Sequence, residues 1–340
     1  MAVVTISGGP GAPGATSTAL ALLLAWPLEE DRRVLLLECD PDGGAVLAGA
    51  LEGRVEAGYG LRHLAVADRR GRLAETLWAQ LVDVSPKGTG DRLLLPGLTD
   101  PAQSAGLAYT WEPLAAACQD LDAHGCDVLI DLGRSGAHGP SAALARRADA
   151  ALVVVRSTLR GVSGARPRIA ALGADLDAEG TGADALRVVL VQEGPYSPSE
   201  VSRALGGVPV LGLLPYEPRS ARVLSDGGDS ADRRFVRSGL MRGARTTADE
   251  VRLLTARRRL RLGAARPAVD GRPGAPGTVA QPGAPGVPPA PPPMPPMAPP
   301  GVGAVPGAGA PLAGFAPRPA APEAFRPQTG GPGQEVARAR

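Results

Sequence analysis

Lysine is almost absent from this chain. Among 340 residues Lys87 is the one lysine, and apart from three histidines every other basic side chain is arginine. No lysine therefore lies in or near the glycine-rich segment "SGGPGAPGATST" close to the N-terminus, which excludes any chemistry there that rests on an ammonium group. Cysteine is scarce too. Cys39, Cys118 and Cys126 show no metal-ligand spacing and no secretory context, so a reduced, cytoplasmic protein is expected. The three histidines, His63, His124 and His138, have no cysteine or acid at ligand spacing and read as surface or helix-end residues. No apolar run approaches the ~18 residues of a membrane span, and the N-terminus lacks the basic region of a signal peptide. Net charge is only +2, so neither a nucleic acid nor a membrane surface is implied as partner by the overall field. The arginine cluster in "TTADEVRLLTARRRLRL" (Thr246 to Leu262) reads as the solvated end of a last helix, where cations suit the helix dipole.

Proline is plentiful but segregated. From Ala265 onward lie 21 of the 36 prolines, few bulky apolar residues and no helix or strand period. Such a stretch cannot bury enough surface to offset its ordering entropy. The expected organisation is one ordered domain over 1–264 and a disordered Pro/Ala/Gly-rich tail over 265–340. The runs at Pro291 to Pro293 and Pro295 to Pro296 favour polyproline II, which suits either a ligand for a protein partner's aromatic groove or a passive spacer.

Before the tail, short continuous apolar runs recur with helical stretches between them. They are Val3 to Ser7, Arg33 to Glu38, Asp91 to Gly97, Cys126 to Gly133, Ala150 to Ser157, Ala185 to Gln192 and Val208 to Pro215. Runs of this kind are parallel strands covered on both faces. The fold class is α/β, a doubly wound, mostly parallel sheet, whose ligands bind at the carboxyl ends of the strands.

The first strand leads into a helix through Gly9, Gly11 and Gly14, followed by Ala15, Thr16 and Ser17. From Gly9 through Gly14 to Thr16 the spacing is that of the phosphate-binding loop G-x-x-x-x-G-K-S/T, with Ala15 at the lysine position. The glycines allow the tight turn, the helix supplies partial positive charge, and Thr16 supplies a hydroxyl for magnesium. Pro10 and Pro13 each remove a backbone donor. The same glycines also spell G-x-G-x-x-G with Glu38 ending the next strand, the fingerprint of an NAD- or FAD-binding oxidoreductase. Two further stretches weigh against that second template. "ECDPDGG" adds Asp40 and Asp42 after the second strand, and "VLIDLG" ends a strand in Asp131, where a carboxylate reaches magnesium.

Over roughly residues 1–260 the chain resembles the ParA/MinD family of deviant Walker P-loop ATPases, closest to its CpaE-like branch. "GAPGATST" corresponds to the family's Walker A loop, "ECDPDGG" to its switch, "DVLIDLG" to its Walker B strand and "VPVLGLLPYEPRSARVLSDG" to the segment beside the adenine. The resemblance implies ATP or ADP with Mg²⁺, held by Gly9, Gly11, Gly14, Ala15, Thr16 and Ser17, with Gln192 and Pro215 beside the base. It implies Thr16 and Asp131 as magnesium ligands and Asp40 as the acid that positions the attacking water. It also implies a nucleotide-sandwich homodimer that positions or regulates a cellular assembly of the partitioning, division or secretion type through a further protein partner. The family's two lysines fall on Pro10 and Ala15, so hydrolysis is expected to be weak or absent, a pseudo-ATPase scaffold being the alternative. Arg134 and Arg160 follow strand ends and are candidates for compensating charge.

Overall fold

The computed structural model describes residues 2–9, 14–55 and 59–264. Gly11 and Pro10 of the loop, and the whole segment 265–340 with its expected domain boundary, lie outside the described residues.

In chain order the elements are β1 (Val3–Gly8), α1 (Ala15–Ala25), β2 (Arg33–Glu38), α2 (Arg62–Asp68), α3 (Leu73–Ala79), β3 (Val82–Asp83) and β4 (Arg92–Leu95). They continue with α4 (Trp111–Asp120), β5 (Cys126–Asp131), α5 (Ala142–Arg147), β6 (Ala150–Arg156), α6 (Leu159–Glu179), β7 (Leu186–Gln192) and α7 (Pro198–Ala204). The last are β8 (Val210–Pro215), α8 (Pro218–Ser225), α9 (Arg233–Val236) and α10 (Gly239–Ala264). All seven expected strands are present. The eighth, β3, is a two-residue edge strand antiparallel to β4, too short to leave a pattern in the sequence. The last helix starts seven residues before the expected Thr246, at Gly239.

The sheet order is β3-β4-β2-β5-β1-β6-β7-β8. The chain leaves β1 toward β2 on one side and later adds β6 on the other, so the winding reverses at β1. Such a switch point opens a crevice at the carboxyl edge. Alternate residues of each strand enter opposite layers. Leu35, Leu37, Val128, Ile130, Val153 and Val155 pack with Leu64, Trp111, Leu114 and Leu172 on one face. Val34, Leu36, Val4, Ile6, Leu152 and Val154 pack with Leu22, Leu23, Trp26, Ala244 and Val251 on the other. That double coverage is why the strands read as unbroken apolar runs. No helix among the described residues is long and apolar enough to cross a membrane.

Candidate functional site

The carboxyl ends of β1, β2, β5, β6, β7 and β8 place Gly9, Asp40, Asp131, Arg156, Gln192 and Pro215 along one edge. The helix after the glycine loop begins where the sequence predicts. Gly14 caps α1 with φ of 130°, a conformation that side-chain-bearing residues rarely adopt, and its carbonyl accepts from Thr18 N at 2.8 Å. Thr16 and Ser17 are half-buried in the first turn. Ala15, at the lysine position, is 5 % exposed, so its methyl is packed into the protein.

Asp131 lies beneath this turn with no solvent exposure. Its Oδ1 accepts from Gly133 N at 3.0 Å, and its Oδ2 has no hydrogen-bond partner. Burial lifts its pKa to about 6, against the pull of the nearby Thr16 hydroxyl and of the Gly133 amide. A buried carboxylate with one orphaned oxygen, beside a threonine hydroxyl, is a donor set that fits a hard cation. Among the described residues no group of three or more His, Cys, Asp or Glu side chains forms a full metal cage. The set fits Mg²⁺ in the way that ion is usually held, by one or two protein oxygens with phosphate and water completing the shell.

The switch-like segment after β2 is stitched to the loop after β5. Asp40 is half-buried, its pKa is raised by burial, and its Oδ1 accepts from Asp42 N at 2.9 Å. The Arg134 charge favours its ionised form. Asp42 accepts from Ser135 Oγ at 2.7 Å. Gly133, at φ of 56°, leaves the space that Asp40 fills.

Glu38 has a different role from the one its place in G-x-G-x-x-G suggests. It is 2 % exposed, and its Oε1 accepts from Ala45 N at 2.8 Å and Val46 N at 3.1 Å, its Oε2 from Gly97 N at 2.8 Å. Burial, with Asp131 beside it, raises its pKa to about 7. A carboxylate enclosed by three backbone amides does not reach a ribose. The dinucleotide reading thereby loses the acid it needs.

Beside α1 lies a cavity of about 290 Å³ lined by Ser17, Thr18, Arg156, Pro215, Tyr216 and Glu217, among others. Pro215 closes β8 and lines this cavity. Gln192 is exposed at the end of β7, while its neighbour Val191 lines the cavity. Arg156 was not singled out from the sequence, although a charged residue closing the buried run "AALVVVR" is a visible signal. It pairs with Glu193 at 2.8 Å and lies 5.4 Å from the Tyr216 ring centre. Of the two arginines expected to compensate, Arg134 is exposed and reaches Asp40 by its charge, and Arg160 is exposed on α6. The three cysteines are free and buried. Burial pushes Cys118 up to about 12 and raises Cys39 as well, so neither is a ready thiolate.

No model of a protein family and no curated protein matches the chain. Solved structures do. A ParA family ATPase from Chlorobium tepidum TLS matches with a TM-score of 0.60 at 16 % identity, over 73 % of this chain and 98 % of that one. The septum site-determining protein MinD of Pyrococcus horikoshii OT3, complexed with Mg-ADP, gives 0.54 at 17 % identity, over 75 % and 97 %. The MinC:MinD cell division complex of Aquifex aeolicus gives 0.52 at 18 % identity, over 74 % and 96 %. The chain has the fold of the ParA/MinD ATPases.

Proposed function

With the ParA/MinD fold as the premise, we propose that this chain is a magnesium-nucleotide-binding protein that positions or regulates a cellular assembly through nucleotide-dependent dimerisation. The observation that carries the reading is fully buried Asp131, which keeps one carboxylate oxygen, Oδ2, without a partner and lies beside the Thr16 hydroxyl at the head of α1. Together with the Gly14 cap, it supports a site where a phosphate meets the helix N-terminus and a cation meets the carboxylate. The ligand implied by the sequence resemblance is ATP or ADP, and the MinD structure of the same fold contains Mg-ADP. Bound Mg²⁺ would neutralise phosphate charge; Thr16 and Asp131 would hold it, Asp40 would orient water, and the α1 amides would face the phosphates.

Turnover is proposed to be weak or absent. Phosphoryl transfer is catalysed by charge placed around the transferred group. Here Ala15 contributes a buried methyl where a lysine would stand, and the chain has no second lysine near it. A pseudo-ATPase scaffold is the limiting case of the same reading. The homodimer, a cytoplasmic location and a protein partner reached through the proline-rich segment belong to this proposal as well.

Calorimetry with purine nucleoside di- and triphosphates in millimolar Mg²⁺, paired with phosphate release and sedimentation, tests it. Binding and dimerisation with slow or no release are expected. No heat and no thermal stabilisation with any of these nucleotides would end the reading. Pull-downs with and without residues 265–340 test the partner route.

A further inference from the structure

The sheet order sets the direction in which a nucleotide would lie along the carboxyl edge. The cavity of about 290 Å³ lies toward β7 and β8, Thr16 follows β1, and Asp131 and Asp40 lie at the ends of β5 and β2. A base in the cavity therefore sends the far end of a phosphate chain toward β5 and β2, to the loop 132–136. That loop is tied down residue by residue. Gly133 O accepts from Gly8 N at 2.8 Å, Gly136 N donates to Leu132 O at 2.9 Å, and Ser135 Oγ donates to Asp42 at 2.7 Å. The Arg134 carbonyl accepts from Arg168 Nη1. Arg168 comes from α6, one turn past Ala165, and Ala165 packs against the glycine loop: a Cβ on Gly9 would lie 3.7 Å from Ala165 Cα. Side chains on a helix lean toward its N-terminus, which for α6 is the carboxyl edge. In the middle of this fixed loop the Arg134 guanidinium is exposed and makes no hydrogen bond or ion pair among the described residues. Its charge favours the ionised form of Asp40.

We propose that Arg134 supplies the cation that the glycine loop lacks, contacts the terminal phosphate of a nucleoside triphosphate and so makes the site select triphosphate over diphosphate, an inference that rests on the nucleotide reading above. Ala15 fills the lysine position with a packed methyl, so the head of α1 brings no cation of its own. Arg134 stands three residues past Asp131 and next to Gly133, whose space Asp40 enters. It thus lies beside both the acid of the cation site and the acid read as orienting water. A guanidinium is always charged and only donates, so phosphate oxygens are its natural acceptors. A diphosphate lacks the group that Arg134 would meet. The tied backbone holds the cation in place before any ligand arrives, which reduces the ordering cost of the contact. Arg168 is a positioning residue, acting through its bond to the Arg134 carbonyl. Arg156 does not compete for the role, because it is paired with Glu193 on the cavity side. A contact made equally in the bound triphosphate and at the transition state tightens binding without raising turnover.

The test is calorimetry of the full chain with Mg-ADP and with the magnesium complex of a non-hydrolysable ATP analogue, on the wild type, Arg134→Gln, Arg134→Lys and Arg168→Met. Melting in the absence of nucleotide is the folding control. The wild type should bind the triphosphate about tenfold tighter than the diphosphate, the scale of one charge-assisted contact. Arg134→Gln should bring the two within about twofold by weakening the triphosphate alone, and Arg134→Lys, which keeps the charge, should retain most of the preference. Arg168→Met should narrow the preference with diphosphate affinity unchanged, whereas a merely structural role would lower melting and both affinities together. Equal or tighter diphosphate binding by the wild type overturns the inference and leaves nucleotide binding standing. So does a preference that survives Arg134→Gln, or an equal loss of both ligands in that variant. Failure of the folded wild type to bind either nucleotide overturns both.

Discussion

Gly133 and Asp40 occupy each other's space: a Cβ placed on Gly133 would lie 1.8 Å from Asp40 Oδ2. The glycine follows β5 and the acid follows β2, neighbours paired Glu38 to Asp131 at their ends. With the Ser135 hydroxyl bonded to Asp42, the segment after β2 is registered against the strand that carries Asp131. Anything bound between Thr16 and Asp131 therefore meets an Asp40 already positioned.

Gly133→Ala should test that registration. The residue sits at φ of 56°, where alanine is strained, and its methyl would displace the Asp40 carboxylate. A stability loss of about 1–3 kcal/mol is expected from such strain. Trimming the clashing partner, Asp40→Gly, in the Gly133→Ala background should return part of it. Urea denaturation of the two single variants and the double variant gives the coupling; simple additivity would show that the two residues do not share this space.

Ala15→Lys should tighten nucleotide binding roughly ten- to hundredfold, because a charge-assisted phosphate contact contributes about 1.5–3 kcal/mol. Since Ala15 is packed at 5 % exposure, the ammonium must leave water, and the protein without nucleotide should melt lower. The gain should appear in calorimetry and not in phosphate release, because Pro10 still stands where the family resemblance puts the cross-dimer lysine. Turnover restored by this change alone would show that the Pro10 position matters less than supposed.

The buried acids set a pH dependence whose sign follows from their shifts. Glu38 moves from an ordinary 4.5 to about 7 and Asp131 from 3.8 to about 6 on folding, each through burial first. The folded protein keeps protons that the unfolded chain releases, so this stabilisation is complete below the unfolded values and is lost as pH rises toward 7. The urea midpoint without Mg²⁺ should therefore be higher at pH 5.5 than at pH 8. Asp131→Asn should flatten the slope, and Mg²⁺ at pH 8 should recover part of the loss in the wild type by pairing with the carboxylate. A midpoint that climbs with pH would contradict the shifts.

Glu38→Gln should be destabilising in spite of removing a buried charge. All three of its hydrogen bonds are accepted from backbone amides, so the new amide group would face a donor. A buried donor left without an acceptor costs about 1–3 kcal/mol. A variant as stable as the wild type at pH 8 would mean the loop at Ala45 and Val46 rearranges freely.

Much of this was legible in the amino-acid order. Parallel strands buried on both faces must be apolar throughout, so "RVLLLE" and "CDVLID" announce themselves, whereas the order of the strands in the sheet came only from the structure. That Thr16 stands at a helix start and Asp131 at a strand end was legible because both are local events. The two-residue β3 was not, since pairing at an edge needs no pattern. The role of Glu38 was not, because an acid closing a strand looks the same whether it meets a ribose or three backbone amides; only the return of Ala45, Val46 and Gly97 over it decided. The sequence by itself determined the layers, the edge of the sheet where the candidate site lies, and the absence of lysine there, all consequences of period and residue type. Tertiary structure alone decided that Asp131 keeps an unsatisfied oxygen, that Asp40 fills the space above Gly133, and that Arg156 spans from β6 to Glu193 and Tyr216. Those relationships join residues from different strands, and no local pattern encodes the distance between side chains that meet only when the sheet closes.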